Sequence, residues 1–160
     1  MSAPRNDPDP TAAPEADVPV LPGPPPAPAD AVTEAFWEAT REGTLTVQHC
    51  PACGGHQHPP RVLCVHCGGT EGLRQVPVHG PAVLDSFTTV HRAPDGRAVP
   101  YTVGRVRLAE GPVLLVPLIG DPDSFRCDQP VQLVWLPLPD GRRQPAFTPA
   151  PGPAPEQPEQ

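Results

Sequence analysis

The 160-residue chain has no lysine, and each of its 11 basic residues is an arginine. Any cationic surface is therefore built from guanidinium groups, which suit bidentate contact with carboxylate or phosphate. Aromatic residues are scarce at 4 %, with one tyrosine, two tryptophans and four phenylalanines, which leaves little for a packed core or for platforms on which bases could stack. Long apolar runs are missing near the N-terminus, where the only one, residues 18–21, is short and broken by Pro19. Neither a secretory signal nor a membrane span is expected from it, and a cytoplasmic, reducing location is.

What the chain has in excess is proline, 29 residues in all, unevenly spread. Residues 1–30 hold ten prolines and residues 149–160 hold five, so both ends are expected to be disordered or polyproline-like tails acting as solvated spacers. The charge is uneven too. Of the formal -7, the first thirty residues carry -4 and the last twelve -2, leaving -1 for residues 31–148. The part expected to fold is nearly neutral, which removes the electrostatic footprint of nucleic-acid binding.

The chain is organised around residues 50–67, which contain Cys50-x-x-Cys53 and Cys64-x-x-Cys67, each followed by a glycine, Gly54 and Gly68. A tight turn aims two thiolates at one point, and a following glycine can take the positive φ that brings backbone N–H groups to the sulfurs. Two such knuckles close one four-thiolate site, for which zinc is the expected metal. The ten-residue loop between them, residues 54–63, is shorter than the commonest ribbon spacing but long enough for a hairpin. Iron could occupy the same cage as a one-electron carrier, and is the alternative. Disulfides would need an oxidising compartment, and a redox dithiol would be expected beside a strand-helix-strand pattern. With four thiolates the metal is saturated, so its role is structural.

Residues 31–42 form the one convincing helix, with Asp30 as cap, Val32, Phe36 and Ala39 on one stripe, Trp37 beside it, and Gly43 at its end. Phe36 and Trp37 are either a contact to the core or an anchor on a partner protein. Residues 44–48 alternate as a strand leading into the first knuckle. Short strands are expected at 82–91, 101–108, 113–119 and 131–136, with Val76 and Val78 before them and a short last strand at 146–148. Five strands at this spacing suggest a small barrel such as an OB-fold, with Pro117 marking an edge or bulge. The expected division is a tail at 1–30, a helix at 31–43, a zinc ribbon at 44–75, an OB-fold at 76–148 and a tail at 149–160.

No active site is evident. On a single strand Asp85 and His91 would point one way and Ser86 the other, which argues against a hydrolytic trio. His49, His56, His58 and His66 crowd the ribbon, but with four cysteines present they read as surface residues. Cys127 is the odd thiol, expected half-buried in a turn, and Tyr101 and Trp135 read as barrel residues. Arg105 and Arg107 share one face of a strand, with Arg92 and Arg97 in the next loop and Arg61 beside the ribbon. These could meet phosphate groups or acidic residues of a partner; the plainer reading is a solvated outer face.

The order of these parts resembles the family long catalogued as domain of unknown function thirty-five. The resemblance covers residues 31–150 and rests on the four cysteines, Phe36-Trp37-Glu38, Pro59-Pro60-Arg61, residues 86–91, Pro100-Tyr101, Pro130-Val131 and Pro145-Ala146-Phe147. Where the family tends to place a glycine, then one residue, then Pro-Val, this chain has Asp128, which leaves the tightness of that turn open. The resemblance implies a helix, a rubredoxin-like zinc ribbon and a C-terminal OB-fold. It also implies a non-catalytic accessory subunit, in a hetero-oligomer with a thiolase-fold enzyme (thiolase, aldolase or synthase) or a hydratase, that shapes the acyl-CoA site. Two alternatives stand beside it: an OB-fold nucleic-acid-binding protein, and a free-standing acyl-CoA binding module.

Overall fold

A computed structural model of the chain describes residues 28–94 and 98–151. Most of both proline-rich tails, and Arg97, lie outside these residues. Helix α1 (Glu34–Arg41) is followed by β1 (Thr46–His49), β2 (His56–Gln57), β3 (Arg74–Pro77), β4 (Ala82–Val90), β5 (Tyr101–Leu108), β6 (Val113–Leu118), a 3-10 turn (Pro122–Ser124), β7 (Pro130–Pro137) and β8 (Arg143–Pro149). No helix among the described residues is long and apolar enough to cross a membrane.

Helix α1 is shorter than the sequence pattern suggests because Asp30 caps a separate turn ahead of it. The Asp30 carboxylate accepts N–H bonds from Val32 at 3.0 Å and Thr33 at 2.8 Å, while its carbonyl takes the N–H of Glu34 at 2.8 Å. At the other end Gly43 adopts φ 73°, and the N–H groups of Gly43 and Thr44 close back onto the carbonyls of Thr40 and Ala39. That is the double bond of a left-handed helix terminus, a conformation glycine takes without strain. The helix buries Phe36 and Thr40 rather than the whole expected stripe; Val32, Trp37 and Ala39 are half-buried.

In the ribbon β1 lies between β2 and β3, both antiparallel to it. Residues 76 and 77, expected at the start of the barrel, thus pair with β1. Although polar and apolar residues alternate along it, every residue from Leu45 to Gln48 is buried. The central strand is covered on both faces, and the Gln48 amide is satisfied internally.

The remaining strands close a five-stranded barrel in the order β4-β5-β6-β8-β7. All steps are antiparallel except β6 to β8, which meet at the single parallel pair Leu118↔Phe147. This is the partly open Greek-key barrel of an OB-fold. Pro117 has its expected edge-like place: Ile119 N–H donates to Phe147 O, and two residues back the missing N–H of Pro117 falls on the same sparsely bonded seam. The last strand is longer than expected, because Pro145 and Pro149 conceal it in the sequence. Leu84, Val106, Leu114 and Phe147 fill the barrel, and Phe125 closes one end against Phe87. Asp128 takes φ 63° and donates its N–H to Leu84 O at 2.8 Å, so an aspartate makes the turn a glycine would make.

Gly104 on β5 marks a close approach inside the barrel. A Cβ there would lie 2.7 Å from Leu118 Cδ1 and 2.8 Å from Leu84 Cδ1, both ends of fully packed side chains. Gly104→Ala is expected to cost about 1–3 kcal/mol by overpacking. The check is a urea titration with a lower midpoint and an unchanged slope.

Candidate metal centre and the surfaces around it

The two knuckles are built alike. In the first, Cys50 N–H donates to Gly55 O at 2.9 Å and Gly54 N–H to Cys50 O at 2.8 Å; in the second, Cys64 N–H donates to Gly69 O and Gly68 N–H to Cys64 O, both at 2.8 Å. Gly54 and Gly68 have φ of 72° and 75°, the left-handed turn read from the sequence. Gly55 is needed for space as well, since a Cβ there would lie 2.6 Å from the ring of His66.

The four sulfurs lie within 4.8 Å of one another, with 3.7 Å between Cys50 and Cys67 and 3.6 Å between Cys53 and Cys64. Four metal–sulfur bonds of about 2.3 Å in a tetrahedron set sulfurs about 3.8 Å apart, so the cluster fits a tetrahedral metal with no position left for water. Cys50 and Cys64 are buried, whereas Cys53 and Cys67 are exposed. The thiols titrate as a coupled set. For Cys64 burial raises the pKa, but the N–H groups of His66 and Cys67 and the neighbouring thiols outweigh it and bring it down to about 6. For Cys53 the Gly55 N–H acts downward, and burial with the three thiols pushes the pKa up to about 12.

A pair of glutamines ties the knuckles together. Gln57 Nε2 donates to Gln48 Oε1 at 2.6 Å and to Leu63 O at 3.0 Å, and Val65 N–H donates to Gln57 Oε1 at 2.7 Å. Gln48 in turn donates to Arg61 O at 3.0 Å and accepts the Arg61 N–H at 2.9 Å. The sequence reading missed both residues, and the one signal available was a polar residue at an even step of a short strand.

The histidines correct the surface reading. Of the four ribbon histidines only His66 is exposed; the His49 and His56 rings meet at 5.0 Å, and His58 packs on Phe36 at 5.2 Å. Burial pushes His58 down to about 4, and burial, with the charges of Arg74 and His56, lowers His49. Cys127 is exposed rather than half-buried.

The aromatic pair on α1 divides. Phe36 is 5 % exposed and belongs to the core, so its ring is not offered to a partner, while the half-buried Trp37 stacks edge-on to it. Arg142, unforeseen from the sequence, lies 4.5 Å above the Trp37 ring and pairs with Asp140 at 2.6 Å. Arg41 donates to Asp140 O, so this contact fixes the helix on the β7–β8 turn.

Of the five singled-out arginines, the four among the described residues lie on separate elements or share one acid. Arg61 is exposed on the ribbon loop and Arg92 just past β4. Arg105 and Arg107 face outward from β5, opposite the buried Val106 and Leu108, and share Asp85 at 3.6 and 3.1 Å. Asp85 sits where the β4–β5 register shifts, and its partners are these arginines, not Ser86 or His91. The apolar run of β6 is not buried throughout: Leu115 is 76 % exposed, between the buried Leu114 and Val116.

Comparison with known proteins gives two family matches. Residues 37–73 match the model "ChsH2, rubredoxin-like zinc ribbon domain" and residues 75–136 the model "ChsH2, C-terminal OB-fold domain". A probable enoyl-CoA hydratase alpha subunit of Thermomonospora curvata is 36 % identical over 128 residues, 78 % of this chain and 40 % of that protein. The benzoylsuccinyl-CoA thiolase subunit BbsA of Thauera aromatica is 33 % identical over 93 residues, 58 % of this chain and 64 % of that subunit. The chain thus spans less than two thirds of the length of each of these relatives. A solved structure, Ltp2-ChsH2(DUF35) aldolase, superposes with a TM-score of 0.70 at 31 % identity, covering 79 % of this chain and 100 % of the matched one. Ribbon, barrel and four-cysteine cluster agree with both matches, and the chain belongs to the ChsH2/DUF35 family.

Proposed function

We propose that the chain is a non-catalytic, zinc-stabilised subunit that docks on a thiolase-like enzyme acting on acyl-CoA and supports its assembly or its acyl-CoA site. The observation that carries the reading is the match of 79 % of this chain to the whole of a chain in the Ltp2-ChsH2(DUF35) aldolase structure. Relatives named as subunits of a hydratase and of a thiolase for CoA thioesters point the same way. Cys50, Cys53, Cys64 and Cys67 would hold zinc, whose saturated sphere stabilises the fold and activates no water. The ion pairs of Asp85 with Arg105 and Arg107, in place of Ser86 or His91, support a chain without catalysis of its own. Contact with CoA phosphates falls first to Arg61 and Arg92; Arg105 and Arg107 already spend charge on Asp85. Cytoplasmic residence, with its reducing thiol chemistry, goes with this role.

The test is affinity isolation of the tagged full chain from the cells that make it, with nuclease treatment and mass spectrometry of the bound proteins. Stoichiometric recovery of a thiolase-fold or hydratase subunit is expected. Nuclease-sensitive recovery would move the assignment to nucleic acid. Recovery of no protein, together with CoA binding by the chain alone, would identify a free-standing module.

A further inference from the structure

A hollow of about 200 Å³ opens between α1, the inter-knuckle loop and β6, lined by Trp37, Pro59, Pro60, Leu115 and Pro145. Pro59 and Leu115 are exposed and Trp37 is half-buried, so apolar surface there stays open to solvent. The hollow is smaller than the roughly 300–1,000 Å³ of small-molecule and cofactor sites. Among the described residues no aspartate, glutamate or arginine lines it, and its ionisable wall, His58, is kept neutral by burial. A phosphate or a charged metabolite therefore finds no counter-charge in it.

Walls of this kind, an aromatic ring among apolar side chains, suit a proline-rich segment, because polyproline II is already extended and loses little entropy on docking. Gln144 also lines the hollow, and its side-chain amide has no protein partner among the described residues. Polyproline II makes no internal hydrogen bonds, so its carbonyls are open to that amide.

The chain carries such a segment next to the hollow. Residues 19–27, which lie outside the described residues, read Pro-Val-Leu-Pro-Gly-Pro-Pro-Pro-Ala within an uncharged stretch bounded by Asp17 and Asp30. Asp30 is tied to Thr33, itself a lining residue. Asp30 N–H donates to Thr33 Oγ1 at 3.1 Å, and Thr33 donates to Asp30 Oδ1 from its N–H and its hydroxyl, both at 2.8 Å. The segment is thus tethered beside the hollow, at an effective concentration in the millimolar range. Nine residues of polyproline II extend about 28 Å, long enough to fold back across it. The C-terminal tail is the poorer candidate. It leaves from Pro149, at the far end of β8 from Gln144, and it carries Glu156 and Glu159, whereas the exposed Glu34 stands next to Thr33.

We infer that residues 19–27 dock in this hollow of their own chain as a polyproline II helix, with prolines against Trp37 and Leu115 and a carbonyl on Gln144. The segment then covers the apolar junction of helix and loop, in place of the spacer role expected from its composition. The contact needs no partner enzyme, so it stands or falls apart from the proposed function.

The test is nuclear Overhauser spectroscopy on the zinc-loaded full chain. Contacts between proline ring protons of residues 19–27 and the Trp37 ring or the Leu115 methyls are expected in the parent. They are lost in Leu115→Asp and in a full-length triple variant carrying Pro24→Glu, Pro25→Glu and Pro26→Glu. Zinc content and circular dichroism of both variants match the parent, because none of the substituted side chains belongs to the core. A synthetic peptide of residues 18–29 binds the triple variant, whose hollow is free, at least about tenfold more tightly than the parent, whose own segment competes. Absence of the contacts in the parent overturns the inference, as does equal affinity of parent and triple variant for the peptide. Contacts that arise only between differently labelled copies, contacts from the prolines of residues 151–158, or a hollow filled only when a thiolase-like protein is added each assign another occupant and overturn it too.

Discussion

Cys64→Ser protein is expected to bind no zinc and to lose the ribbon altogether, while the barrel keeps its fold. The ribbon has little else to hold it. Its sheet joins four-, two- and four-residue strands, its apolar centre is Leu45 and Val47, and most of its remaining backbone lies in the two knuckle loops. Metal binding in small zinc peptides contributes folding free energy on the order of 10 kcal/mol, far more than a core of that size. Cys64 is also the buried thiol whose pKa is held down to about 6, so its serine loses the readiest ligand. The measurements are zinc content and amide hydrogen exchange. Exchange across residues 46–77 is expected to rise about a thousandfold or more, while β5 and β6, which line the barrel core, stay protected. Chelation of the parent protein should reproduce the pattern. A protected ribbon without metal would contradict it.

Acidification is the second large effect, and it runs through His58. The ring packs on Phe36 and its Nδ1 is buried without a hydrogen-bond partner, so burial pushes the pKa from 6.5 down to about 4. Above pH 6.5 both folded and unfolded states hold a neutral ring and the full stability is present. Between 6.5 and about 4 the unfolded chain takes up a proton that the folded chain does not, so stability falls, and below about 4 this loss levels off. At 1.36 kcal/mol per unit the loss is about 3 kcal/mol. His49, also lowered, and the thiolates add acid sensitivity of their own. Comparison with His58→Gln removes those common contributions. Urea unfolding of zinc-loaded full chain at pH 7, 5.5 and 4 should show the parent's decline exceeding the variant's by about 3 kcal/mol. Parallel declines would mean that the ring is not desolvated.

The parts of the molecule that were legible in the sequence are those whose signals are local. The knuckles announce themselves by spacing, and Gly54 and Gly68 by position; both take the left-handed conformation the turns require. The residues of β4 and β5 show themselves as strands bounded by Gly, Pro and Asp, and their ends fall within one residue of the expectation. What stayed hidden depends on partners distant in the chain. Gln48 reads as an outward polar residue until residues 57 and 61 fold over it. Arg142 reads as one charge in a turn, yet it covers Trp37 from the far end of the fold. Leu115 was masked for a different reason: an unbroken apolar run erases the alternation that separates inside from outside, and here it conceals the most exposed large apolar side chain among the described residues. Asp128 departs from the glycine of the family pattern without departing from its backbone, because a short polar side chain tolerates φ 63°.

Together these features fit the proposed accessory role. A four-cysteine cluster closes the ribbon, two glutamines fix the loop above it, and Arg41, Arg142 and Asp140 fix the helix on the barrel. The measurement that bears most directly on this account is acyl-CoA turnover with purified components: the thiolase-fold subunit alone, this chain alone, and the two together. The account predicts no turnover by this chain alone, and a partner whose turnover or integrity depends on adding it. Turnover by this chain alone, or a partner indifferent to its presence, would contradict it.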